Sequence, residues 1–303
     1  MDNIKFKGVM PALITPFDES GKLKQDTVRK LMDMELSKGV NGFYICGNTG
    51  EGPVISAETR MNMAEVAMDN IKGRGVIIDH IAAADMHEAV RLAKHAGNIG
   101  VDAISSIAPT FFYNYTDDEL VDYYKAIADA TDKPLVVYAT NLMKSPDITE
   151  LIKRLMEIPT VIGLKYTRMN YYEMRKIKEL NGGNINVING PDEMLICGLV
   201  MGADAGIGST YNLMPDWFSS LYNNFTSGNI DAARADQYKI NKVITVLLKY
   251  GVNGVINSIK CAFEMMGYDM GYAAFPANRF TQAEMESFKS DLLTSGYDIT
   301  KRL

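Results

Sequence analysis

Two successive apolar runs in this chain close on residues that can do carbonyl chemistry: PLVVY ends at Tyr138 and VIGLK ends at Lys165. An amine set in an apolar wall is disfavoured as its ammonium form, and a neutral amine attacks a ketone to give a Schiff base. The resulting iminium accepts the electrons of a breaking C–C bond, and a neighbouring phenol can carry the proton that the step releases. Plainer roles exist for both residues. A barrel lysine can pair with a carboxylate or reach out to the rim, and a strand tyrosine can be half-buried with its hydroxyl satisfied.

Three further segments carry candidate binding residues. Gly47-Asn48-Thr49-Gly50-Glu51-Gly52 has three glycines that allow close backbone approach, and its amides plus the Thr49 hydroxyl would suit a small carboxylate; a plain tight turn is the alternative. It is not a phosphate-binding P-loop, because the GxxxxGK[ST] pattern is absent. In Asn189-Gly190-Pro191-Asp192-Glu193 the paired acids would bind sugar hydroxyls or open a helix with an acidic first turn. Gly206-Ile207-Gly208-Ser209-Thr210-Tyr211-Asn212 lacks the full dinucleotide pattern. Metal chemistry has little support: His80, His87 and His95 are the only histidines, no HxxxH or CxxC spacing occurs, and surface or satisfied core positions are expected for them.

These segments must be positioned by a regular scaffold. Eight short apolar runs, ending near Thr15, Cys46, His80, Ala108, Tyr138, Lys165, Asn189 and Ser209, alternate with helical patterns. Runs of this kind read as parallel strands buried on both faces. Between them, Thr59 to Met68 has helical apolar spacing. Asp85 and Glu88 resemble a capping pair with Gly97 as the stop, and Thr116 precedes an acidic first turn. Eight strand–helix units with right-handed crossovers close into an α/β fold, a (β/α)8 TIM barrel, whose active sites lie at the C-terminal strand ends; an open doubly wound sheet is the alternative. Residues 1–228 are expected to form the barrel and 229–303 a C-terminal helical appendage.

The 303 residues are 47% hydrophobic and 22% charged, which excludes a largely disordered or fibrous chain. The net charge of −6 argues against nucleic acid or an anionic membrane as the main partner. The N-terminus lacks a signal-peptide pattern, no uncharged apolar stretch is long enough to span a membrane, and three scattered cysteines do not suggest a disulfide framework. A soluble, cytoplasmic protein is expected.

GVMPALITPF at the start, the GNTGEG loop, Tyr138 and the LKYT segment occur in the order found in the pyruvate-dependent class I aldolase superfamily, which contains N-acetylneuraminate lyase and dihydrodipicolinate synthase, and the chain resembles that superfamily over essentially its whole length. NGPDE and GSTYN are similar to its N-acetylneuraminate lyase branch, and Met143 stands where dihydrodipicolinate synthases usually carry arginine. The resemblance implies that Lys165 is the Schiff-base nucleophile and Tyr138 the proton-transfer residue. It implies that Asn48 and Thr49 hold a pyruvate carboxylate, and that Thr167, Gly190, Asp192, Glu193 and Ser209 bind the hydroxyl chain of a sugar acid. It further implies reversible cleavage of N-acetylneuraminate to pyruvate and N-acetylmannosamine, without metal or organic cofactor, by a homotetramer. Dihydrodipicolinate synthase or another pyruvate-dependent aldolase is the second reading, and a non-catalytic keto-acid sensor the third.

Three positions depart from the lyase pattern. Asn48 replaces the usual serine, and Ala139-Thr140-Asn141 replaces Asn-x-Pro after Tyr138. Phe111 and Phe112 precede Tyr113 where the family has a tyrosine that reaches a neighbouring subunit's site, so Tyr113 either substitutes or the relay is absent.

Overall fold

The structure, a computed structural model, describes residues 6–109, 113–251, 254–274, 276–277 and 279–302. Phe111 and Phe112 lie outside the described residues. The apolar runs form strands β1 (Gly8–Pro11), β2 (Gly42–Ile45), β3 (Val76–His80), β4 (Ala103–Ile107), β5 (Leu135–Thr140), β6 (Val161–Thr167), β7 (Asn186–Asn189) and β8 (Ala205–Gly208). All pair in parallel, in the order β1-β8-β7-β6-β5-β4-β3-β2. An Ala12–Tyr44 bridge, with the Leu13 amide donating to the Tyr44 carbonyl at 2.9 Å, brings β1 back to β2. The sheet is therefore a (β/α)8 barrel rather than an open doubly wound sheet.

Helices α1 (Gln25–Ser37), α2 (Ala57–Ile71), α3 (Met86–Ile99), α4 (Asp117–Ala128), α5 (Ile148–Leu155), α6 (Tyr171–Lys178), α7 (Leu195–Val200) and α8 (Pro215–Thr226) follow the strands in turn. Then come α9 (Ile230–Tyr250), α10 (Ile256–Met265) and α11 (Gln282–Thr294). Strand alternation separates two cores. Met10, Tyr44, Ile78, Val136, Ile188 and Ile207 fill the barrel, while Val9, Phe43, Ile77, Ile104, Val137, Leu164 and Val187 pack outward against the helices.

Local signals set most helix starts. Ser56 accepts the Thr59 amide at the head of α2, Asp85 accepts the His87 amide at α3, and Thr116 with Glu119 forms a reciprocal capping box at α4. Other expectations need correction. Glu88 does not complete a box with Asp85 but pairs with Arg91 at 2.8 Å. Gly97 does not stop α3; Gly100, at φ 84°, does, and a Cβ on Gly97 would meet Thr131 Oγ1 at 2.3 Å, so that glycine serves helix packing. The first strand ends at Pro11 rather than Thr15: backbone bonds still hold Ala12 to Gly208 and Leu13 to Tyr44, and side chains take over the pairing from Ile14 on. Asn212 Oδ1 accepts the Ile14 amide, and the Thr15 hydroxyl donates to the Gly50 carbonyl.

Candidate active site

Lys165 and Tyr138 occupy opposing positions on β6 and β5. Their meeting depends on a one-residue irregularity: Leu135 pairs with Val161, but Val136 pairs with Gly163, leaving Ile162 as an inserted residue. Without the insertion Tyr138 would face Leu164, whose side chain belongs to the outer core. Gly163 makes the bulge feasible, since a Cβ there would lie 1.9 Å from the Asn186 carbonyl oxygen. The Lys165 Nζ lies 4.4 Å from the ring centroids of both Tyr138 and Tyr44. Lys165 is 5% exposed and makes no ion pair among the described residues, which sets aside both the rim-reaching and the carboxylate-paired alternatives.

Tyr44 was not singled out by the sequence, and His80 was weighed there only as a histidine with no metal-ligand spacing, although both are inward positions of strand runs. Tyr44 donates to Ser105 Oγ at 3.1 Å, and burial holds its phenol well above the ordinary range. His80 packs edge-on to Tyr138 at 5.9 Å between centroids. The Ile107 amide donates to its Nε2 at 3.2 Å, so Nδ1 carries the proton toward the Cys46 carbonyl. Burial, aided by the Arg60 cation, pushes the imidazole well below its usual value, and the ring is neutral. His80 is thus a satisfied core residue supporting Tyr138, while His87 is exposed and His95 pairs with Glu65. Among the described residues no three of His, Cys, Asp and Glu are grouped to hold a metal.

The loop after β2 folds back on itself. Cys46 takes φ 57°, the Gly52 amide donates to the Gly47 carbonyl at 3.0 Å, and a Cβ on Gly52 would sit 1.8 Å from the Cys46 oxygen. Asn48 is exposed, whereas Thr49 is buried with its Oγ1 2.6 Å from Ser209 Oγ. That contact joins the β2 loop to the end of β8.

Beside β6, the buried Thr167 Oγ1 has no hydrogen-bond partner among the described residues. Gly190 backs directly onto it, since a Cβ at 190 would lie 1.9 Å from Thr167 Oγ1. Asp192 is buried and accepts both the amide (2.7 Å) and the hydroxyl (2.6 Å) of Thr210. Burial nevertheless raises its carboxyl to about 6, against the pull of Thr210 and of Lys165. Asp192–Met194 form a 3₁₀ turn; the Glu193 carbonyl accepts from Asn241, and its carboxylate makes no hydrogen bond to the other candidates.

The structure therefore gathers the nine candidates at the C-terminal strand ends. Contacts join Lys165 to Tyr138, Thr49 to Ser209, and Thr167 to Gly190; Asn48 and Glu193 share the rim without side-chain bonds to the rest. One rim clamp was also missed. The Arg168 guanidinium, held by Glu173 at 2.9 Å, donates to the carbonyls of Thr140 (3.1 Å) and Met143 (3.4 Å), fixing the loop after Tyr138. Met143 itself is 1% exposed, a core residue.

A (β/α)8 barrel with a buried amine against two phenol rings at its mouth, taken with the relatives below, defines an enzyme of the carbon–carbon lyase class. The chain belongs to the dihydrodipicolinate synthetase family, whose model matches residues 5–294. It is 32% identical over 290 residues to the N-acetylneuraminate lyase of Rhizobium meliloti, covering 94% of each chain. Identity to the N-acetylneuraminate lyase of Citrobacter koseri is 36% over 248 residues, 81% of this chain and 83% of that protein. Among solved structures, the sialic acid aldolase of Ruminococcus gnavus superposes with a TM-score of 0.91 at 29% identity, over 99% of this chain and 100% of that one. The N-acetylneuraminate lyase of Aliivibrio salmonicida gives 0.89 at 28%, over 97% and 98%.

Proposed function

We propose that the enzyme cleaves N-acetylneuraminate reversibly to pyruvate and N-acetylmannosamine through a Schiff base on Lys165. The observation that carries this function is the Lys165 amine, buried at a strand end with Tyr138 directly opposite. Relatives that cover most of this chain are named N-acetylneuraminate lyase, and Met143 is core rather than a cationic substrate contact, so dihydrodipicolinate synthesis is not favoured.

The Lys165 nitrogen adds to the C2 ketone of the open-chain acid and water leaves, giving the iminium. Tyr138 takes the C4 hydroxyl proton while the C3–C4 bond breaks; its electrons enter the iminium as an enamine, and the aldehyde departs. Protonation at C3 and hydrolysis then release pyruvate and the amine. No metal or organic cofactor is needed, because the iminium is the electron sink. Asn48 and Thr49 hold the carboxylate, and Thr167, Gly190, Asp192, Glu193 and Ser209 receive the hydroxyl chain. The unpartnered Thr167 hydroxyl favours that assignment.

Residues 1–228 would form the barrel unit and 229–303 the helices packed on it. The assembly would be a cytoplasmic homotetramer. Exposed Val54 and Met86, which line two adjoining cavities sharing Ala84, support burial against another subunit, as does the exposed Tyr113. Among the described residues no helix is long and apolar enough to cross a membrane, and the three cysteines are unpaired.

The test is incubation with pyruvate and borohydride, beside pyruvate release from N-acetylneuraminate. A reduced pyruvyl adduct on Lys165, and loss of both adduct and turnover in Lys165→Ala, are expected. An unmodified Lys165 in an active enzyme would overturn the mechanism, and absence of pyruvate release would overturn the substrate.

A further inference from the structure

Glu51 ends the β2 loop with its backbone in the left-handed region, φ 61°, and its carboxylate directed into the C-terminal helices. Lys260 of α10 donates to Oε1 at 2.5 Å, and the Ala274 amide donates to Oε2 at 2.5 Å. The Lys260 ammonium also donates to the Tyr272 carbonyl at 2.9 Å. The two side chains are 5% and 0% exposed, so the pair is dry. The segment that supplies Tyr272 and Ala274 is itself fastened to the barrel: Phe17 donates its amide to the Met270 carbonyl and accepts the Tyr272 amide.

The loop's other tethers, Thr15 to Gly50 and Thr49 to Ser209, are neutral hydrogen bonds. Glu51 differs in holding a charged partner, Lys260, and its own amide donates to the Asn48 carbonyl at 3.0 Å. Whatever moves Glu51 moves the turn on which Asn48 and Thr49 ride. A carboxylate left buried without Lys260 would have to protonate or leave for solvent. Leaving would open that turn and bring an anion to the mouth that an incoming carboxylate must enter.

We infer that the Glu51–Lys260 pair is a positioning latch: it ties the C-terminal helices to the loop that offers Asn48 and Thr49 to the pyruvate carboxylate, an inference that rests on the function proposed above. Glu51 and Lys260 act through the loop and do not touch the reacting atoms.

The test compares wild type, Lys260→Met, Glu51→Asp and the double variant Glu51→Gln/Lys260→Met, each normalised to Lys165 sites titrated with pyruvate and borohydride. Glu51→Asp is one methylene too short to reach Lys260 and Ala274 together, and it decides the matter should Lys260→Met not fold. In the condensation direction the pyruvate KM should rise about tenfold or more in either single variant, with kcat changed by less than about threefold. The double variant, with no charge left unpaired, should recover part of that loss. Amide exchange across residues 47–52 should quicken in the unliganded single variants. Unchanged KM and unchanged exchange, with only a lower melting temperature, would overturn the latch. If the wild type traps no pyruvate, the proposed function falls, and the exchange measurement alone decides the latch.

Discussion

Tyr138 and Lys165 face one another across β5 and β6, with the amine 4.4 Å from the phenol ring, because the register between the strands slips by one residue before reaching them. The slip turns the lysine into the barrel and leaves the apolar Leu164 for the helix layer. The facing of this amine and this phenol is thus set by a backbone irregularity two to three residues before them.

Tyr138→Phe separates the two halves of the proposed chemistry. The phenyl ring still fills the space against His80 and Lys165, so pyruvate should still be trapped on Lys165 by borohydride. Cleavage, which needs the hydroxyl to move a proton, should fall by about 10²–10⁴-fold in kcat. Steady-state turnover beside single-turnover trapping checks this; full activity in the variant would remove Tyr138 from the proton path.

Gly163→Ala tests the slip itself. The added methyl would meet the Asn186 carbonyl at 1.9 Å, a backbone atom that cannot rotate away, so β6 must shift against β7. Overpacking of this kind costs about 1–3 kcal/mol, and a displacement near 1 Å at Lys165 lowers kcat/KM by about 100-fold. A melting curve and the rate of pyruvate release measure both effects. A variant with normal rate would show that the site does not depend on that register.

Much of this arrangement was legible in the order of residues, and the remainder shows where local pattern stops. Apolar runs ending in Tyr138 and Lys165 marked β5 and β6 because burial on both faces leaves no alternation to obscure them, although each strand continues two residues further, to Thr140 and Thr167. Thr116 announced α4 through a hydroxyl three residues before Glu119. Gly97 misled because a glycine near a helix end signals both a stop and a close packing contact, and only the neighbouring Thr131 distinguishes them. The bulge at Ile162 was invisible, being a property of two strands together. Glu51 and Lys260 stand 209 residues apart, and no spacing rule joins them. Tyr44 was recoverable: in GFYICG every second side chain points inward, and the aromatic in the middle falls on the barrel side.

Glu35 gives a prediction about stability with a definite sign. Its side chain in α1 is fully buried, neither carboxyl oxygen has a hydrogen-bond partner among the described residues, and burial holds its pKa well above the usual 4.5, with the Lys38 charge only partly opposing. The folded protein therefore keeps this proton while the unfolded chain loses it above pH 4.5. The group's contribution is fully present below that pH and is lost as pH rises toward the folded value, by about 1.4 kcal/mol per pH unit. Glu35→Gln keeps the shape and removes the titration. The variant should match the wild type near pH 4.5 and become progressively more stable than it as pH rises from there toward the folded-state value of Glu35. Asp79, raised to about 7 by burial, tilts the wild-type profile in the same direction but is common to both proteins, so the difference between them isolates Glu35. Urea denaturation at several pH values reads the difference directly, and two parallel profiles would show that Glu35 is ionised in the folded state.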